Sequence, residues 1–157
     1  MQLMESDPTL AFELIDADVR APGFRVTARG EGYSGNTEIW LMRADADAFL
    51  DALDRLDSSL KGEARVRAGW VDQGEAPTDA KADLLLRISP WGHAGQLEVD
   101  VTMRASASQG GQNMARIWFV LPEPSALTRF RRALRGLAEG TIGAPAVLTA
   151  AIARTDI

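Results

Sequence analysis

Apolar and polar residues alternate with a period of two in several stretches of the chain, the mark of a strand with one buried and one solvated face. The pattern is clearest where Leu97, Val99, Val101 and Met103 alternate with Glu98, Asp100, Thr102 and Arg104. It recurs at Phe24, Val26 and Ala28 against Arg25, Thr27 and Arg29, and at Ala64, Val66, Ala68 and Trp70 against Glu63, Arg65 and Arg67. A further case sets Leu84, Leu86 and Ile88 against Leu85 and Arg87. Glu38–Met42 and Ile117–Leu121 are apolar in both phases, which predicts strands that are central or covered on both sides.

Two segments switch to helical spacing. Phe49, Leu53, Leu56 and Leu60 fall at i, i+4, i+7 and i+11, with Leu50 widening the stripe, so Asp45–Leu60 is a helix with one apolar face. Asp45 and Asp47 lie where a helix start favours a cap and negative charge, and Gly62 supplies the stop. In Ser125–Glu139 the stripe is Leu127, Phe130, Leu134 and Leu137, opened by Pro124 and Ser125 and closed by Gly140. Turns are marked by Gly30, Gly32 and Gly35 with Asn36, by Gly92 and Gly95, and by Ser106–Asn113; residues 71 to 82 read as a longer loop.

The predicted order is strands near 10–15, 24–29 and 37–42, a helix, strands near 63–70, 83–89, 96–104 and 115–121, and a last helix. Short connections favour hairpins, so the fold class is α+β: a mainly antiparallel sheet of about six to seven strands with two helices on one face, β-β-β-α-β-β-β-β-α. No repeat or linker divides the chain, which is expected to form one domain over residues 1–157 with 143–157 as a docked or flexible tail.

Composition narrows the chemistry more than the fold. With 157 residues, 17 Lys+Arg against 22 Asp+Glu and a net charge of −5, the long-range field has the wrong sign for bulk nucleic acid or an anionic membrane. The absence of cysteine removes disulfides, thiol nucleophiles and Cys-based metal sites, and a single histidine removes multi-His sites. No cofactor or metal is expected. The N-terminal residues carry Glu5 and Asp7 without a basic or apolar region of a secretory signal, and the longest apolar runs are far short of a bilayer span, so a cytoplasmic location is expected.

Charge by position gives the candidate sites. On the polar side of the strands lie Arg25, Arg29, Arg65, Arg67, Arg87, Arg104 and Arg116 against Glu63, Glu98 and Asp100. If they share one face, it is basic in an acidic molecule and suits an acidic protein surface or an anionic small molecule; cross-strand ion pairs on a solvated face are the plain alternative. Asp47, Asp51 and Asp54 share a face of the first helix and could meet a cation or a basic partner, although a solvated face does as well. Arg129, Arg131, Arg132 and Arg135 give the last helix the opposite sign, to hold an anion or to pair with neighbouring acids.

Trp40 and Trp118 sit out of phase with their apolar neighbours and could line a ligand pocket, core or edge packing being the commoner fate. His93 lies in a Pro-Trp-Gly-His-Ala-Gly hairpin with no residue placed to orient it and no nucleophile motif nearby, so no catalytic residue is assigned. Gly30-Glu31-Gly32 lacks the Lys-Ser/Thr and the helix of a phosphate loop.

Gly32-Tyr33 before Ile39-Trp40-Leu41, the helix Phe49-Leu50-Asp51-Ala52-Leu53, Leu60-Lys61-Gly62-Glu63-Ala64, His93–Val99 and Leu127-Thr128-Arg129-Phe130 form an ordered pattern over about residues 10–140. In this pattern the chain resembles bacterial domains akin to WapI-type immunity proteins. The resemblance implies a non-catalytic protein that binds a partner protein, a toxin it neutralises, and carries over no functional residue. The expected function is therefore a non-enzymatic protein-binding module. The alternative is a small-anion binder or enzyme using a Trp/Arg-lined sheet face.

Overall fold

A computed structural model describes residues 8–18, 20–30, 33–68, 82–92, 95–104, 114–121, 123–140 and 143–149. The elements in chain order are β1 (Thr9–Asp16), β2 (Gly23–Gly30), β3 (Tyr33–Trp40), α1 (Arg43–Ser59), β4 (Ala64–Ala68), β5 (Leu84–Trp91), β6 (Gln96–Arg104), β7 (Met114–Leu121), α2 (Ser125–Ala138) and β8 (Ala146–Thr149). The fold is α+β and every strand pairing is antiparallel.

The expected single sheet is instead two four-stranded sheets, ordered β3-β2-β1-β8 and β4-β5-β6-β7. Local alternation predicts which strands have a buried face but not which sheet they join. Here α1 interrupts the hairpin chain, so β1–β3 close one meander and β4–β7 another. Strand β8 then returns beside β1, with Phe12 opposite Ala146. The stretch expected as a docked or flexible tail is thus docked over Ala146–Thr149, and residues 150–157 lie outside the described residues.

The helices do not share one sheet face either. Helix α2 lies against β8 and β1, α1 lies against β4, and the two helices touch each other, while β2 and β3 meet β6 and β7 directly. A single cluster of buried apolar residues joins both sheets and both helices. At its centre Phe12 stacks edge-on against Phe24 (5.7 Å) and Phe130 (5.8 Å), tying α2 to the first sheet. Where the sheets meet directly, a Cβ built on Gly30 would stand 3.0 Å from Ile117 Cγ2, so the close approach of β2 to β7 uses the missing side chain.

Three local expectations are revised. Strand β3 begins at Tyr33, so Gly35 and Asn36, read as turn residues, pair with Ala28 and Thr27 in the ladder. Strands β3 and β7, expected to be covered on both faces, are sheet edges that leave Trp40 and Trp118 41% and 47% exposed. Helix α1 starts after Met42 with no side-chain cap; it ends on Leu60 in the left-handed region (φ 56°), whose N–H returns to Leu56 O, rather than on Gly62.

Candidate functional site

The seven strand arginines do not lie on one face. Arg25 and Arg29 point out from the β3-β2-β1-β8 sheet, whereas Arg65, Arg67, Arg87, Arg104 and Arg116 point out from the other. Register explains the split, since odd residues of β2 and β4 and even residues of β6 and β7 oppose the core phase. Arg25 is held between Glu13 (3.0 Å) and Glu38 (2.9 Å) in a cross-strand row, and these bonds, that to Glu38 first, raise its pKa above the ordinary value. Trp40 belongs to this sheet as well: its ring covers Gly23, and its indole N–H faces Asp16 at 3.4 Å.

The β4–β7 sheet carries the concentrated positive charge. Two cross-strand rows meet on its outer face, Arg65–Arg87–Asp100–Trp118 and Arg67–Leu85–Thr102–Arg116. Half-buried Leu85 and Thr102 form part of the floor of an open depression of about 740 Å³, and Arg65, Arg67, Arg87 and Arg116 surround it. Among the described residues, Asp100 is the one carboxylate in its lining.

Asp100 accepts two bonds from Arg116, at 3.1 Å from Nε and 2.8 Å from Nη2, and lies 3.7 Å from Arg87. Bonding to this carboxylate raises the Arg116 pKa above the ordinary value. Arg87 is also 3.9 Å from Glu98, and Arg65 is 3.5 Å from Glu63. The Arg65 and Arg116 side chains nonetheless stay 63% and 69% exposed, so the donors that these carboxylates do not engage face solvent. At the end of the same strands, Arg104 stands beside Asp83, whose carboxyl burial pushes above the ordinary carboxylate range, an effect Arg104 partly offsets.

Trp118 stands in the cross-strand row of Arg87 and Asp100, whereas Trp40 belongs to the other sheet, so the two tryptophans expected to line one pocket lie on different sheets. The ring partner of Trp118 is Trp91, at 5.2 Å between ring centroids and 71° between planes. The Trp118 indole N–H donates to Glu98 at 2.9 Å, which fixes the ring over the face. Trp91 was legible as an outward position, since it shares the phase of Leu85 and Arg87. His93 and Trp70 lie outside the described residues.

The acidic face of α1 turns largely toward α2. Asp54 takes Arg135 (2.6 Å) and Arg131 (3.3 Å), Asp51 lies 3.8 Å from Arg135, and Asp47 pairs with Arg43 one turn back (3.1 Å). Asp57 completes this seam by accepting from Thr128 Oγ1 (2.8 Å) and from Arg131 Nε. At the other end, Arg43 donates to the carbonyl of Ala138 in the last turn of α2 (2.8 Å), where backbone acceptors lack helical partners. The helices are therefore antiparallel and clasped at both ends. Asp51 and Asp54 serve this clasp, while Arg129 and Arg132 face solvent.

Among the described residues no cluster of His, Asp or Glu has the grouping of a metal site, and no helix is long and apolar enough to cross a membrane. Comparison with protein-family models, curated proteins and solved structures finds no match for this chain.

Proposed function

We propose that this chain is a non-catalytic, cytoplasmic protein-binding module that docks an acidic surface of a partner protein on the outer face of the β4–β7 sheet. The observation that carries this reading is the convergence of Arg65, Arg67, Arg87 and Arg116 on one depression where the described residues contribute a single lining carboxylate, in a chain of net charge −5. Opposed local and global charge steers a partner to this face and repels it elsewhere. Guanidinium groups suit the task because their planar donors bind carboxylates in pairs. They are poor proton-transfer groups, and Asp100 is already engaged by Arg116, which favours binding over chemistry.

The resemblance to WapI-type immunity proteins would make the partner a toxin that the chain neutralises. Immobilised wild-type protein is expected to retain a partner from native extract that salt elutes and that the Arg65→Glu/Arg67→Glu variant does not retain. A partner held equally by both proteins, or unaffected by salt, would overturn the electrostatic docking.

A second reading, a small multivalent anion, is favoured by the size of the depression, which falls in the range of small-ligand sites. Titration with citrate and with pyrophosphate tests it; micromolar binding to wild type and none to the double variant would select the small anion.

A further inference from the structure

We infer that the partner's contacting segment carries, beside its carboxylates, a large apolar side chain that seats against the Trp91–Trp118 pair; this rests on the reading of the arginine face as the docking surface. Trp91 and Trp118 are 43% and 47% exposed, lie edge to face at 5.2 Å, and stand on the same outer face as the arginines. Trp118 is in the same cross-strand row as Arg87 and Asp100 and two residues along its strand from Arg116. An apolar platform and a set of guanidinium donors are therefore within one short segment's reach.

Two exposed indoles held in mutual contact keep a large apolar surface in water, where covering it is favourable. The Glu98 bond limits rotation of Trp118, so little side-chain entropy is lost when a partner covers the ring. Trp and Arg are also the residues that most often dominate interface energies. An acidic protein segment fits better than a single-stranded nucleic acid. The rings pack edge to face against each other rather than standing apart as platforms on which successive bases stack.

The test uses the full chain and three fluorescent probes in anisotropy titrations at low salt: an oligo-glutamate peptide, the same peptide with one central Phe, and an oligothymidylate. Peptides of about ten residues span roughly 33 Å when extended, enough to cross the face. The Phe peptide is expected to bind about tenfold tighter than plain oligo-glutamate. With plain oligo-glutamate measured on each variant as its own reference, Trp118→Ala should erase that gain and Trp118→Phe should keep most of it. Equal affinity of the two peptides, or a gain that survives both Trp118→Ala and Trp91→Ala, overturns the apolar anchor and leaves the arginine face standing. Failure of both peptides to bind overturns the arginine face and the anchor together. Tighter binding of oligothymidylate than of either peptide replaces the acidic protein segment with nucleic acid.

Discussion

Removing the Asp57 carboxylate should loosen the clasp between the helices by a predictable amount. Its side chain is 10% exposed and accepts from Thr128 Oγ1 and Arg131 Nε, so Asp57→Ala strands a hydroxyl and one edge of a guanidinium that is 25% exposed. A hydrogen bond to a charged group contributes about 1.5–3 kcal/mol and a neutral one about 1 kcal/mol. Arg131 retains Asp54 at 3.3 Å, and that end of the seam is open to water, which lowers the total. The expected loss is about 1.5–2.5 kcal/mol. Unfolding entropy for a chain of 157 residues is about 0.33 kcal/mol/K, so Tm should fall by roughly 5–8 °C. Urea unfolding of Asp57→Ala, Arg131→Ala and the double variant gives the coupling, expected at about 1–2 kcal/mol. A coupling below about 0.5 kcal/mol would show that the pair behaves as an ordinary surface ion pair and refute the clasp.

Other consequences of the packing are open to measurement. Phe130→Ala removes a fully buried ring from the Phe12–Phe24 cluster and should cost about 3–5 kcal/mol, read by chemical denaturation; a loss under about 1 kcal/mol would contradict its central place. Asp83 has a raised pKa in the folded state, so the fold binds its proton more tightly than the unfolded chain does, and this group's contribution to stability falls as pH rises from the ordinary carboxylate value of 3.8 through the raised one. Asp83→Asn should therefore be more stable than wild type at neutral pH, with the advantage shrinking on acidification. A variant less stable at neutral pH would show that the fold favours the ionised Asp83 carboxylate instead. In Gly23→Ala the new Cβ would meet Trp40 Nε1 at 2.5 Å; the exposed ring swings into water, shifting indole emission to the red with a stability change under about 1 kcal/mol. Unchanged emission would place the ring elsewhere.

What the sequence made legible is what depends on neighbours a few residues away. The alternation from Leu97 to Arg104 locates β6 and its buried face, and the leucine stripes locate both helices, because periods of two and 3.6 are properties of local backbone geometry. The division into two sheets depends on which strands pair across the core, information carried by no single segment. Strand β8 was missed because Ala146–Thr149 is only four residues and forms by pairing with β1. Gly35 and Asn36 favour turns by themselves but are drawn into the ladder opposite Ala28 and Thr27.

The site shows the same boundary. That the strand arginines face away from the core was legible from phase alone. That Arg65, Arg67, Arg87 and Arg116 gather while Arg25 is held by two glutamates required the register. The clasp had a visible signal in two amphipathic helices of opposite charge, Asp54 and Asp57 on one, Arg131 and Arg135 on the other, and such helices are natural neighbours. Trp40 and Trp118 misled because an apolar residue in the outward phase suggests a covered face, whereas both lie on edge strands and satisfy their indole N–H with nearby carboxylates.

The claim that the β4–β7 face is the docking surface is tested most directly by comparing two reversals of equal charge. Binding of a labelled oligo-glutamate peptide is measured for wild type, for Arg65→Glu/Arg67→Glu, and for Arg129→Glu/Arg132→Glu, at about 50 and 300 mM salt to separate weak from strong screening. Arg129 and Arg132 are exposed on α2, so the second reversal changes net charge alike without touching the sheet. A docking site on this face gives at least a tenfold loss of affinity for the Arg65/Arg67 reversal at low salt, with the α2 reversal within about twofold of wild type. Equal losses in the two variants would mean that the peptide senses only net charge, and would contradict a docking site on this face.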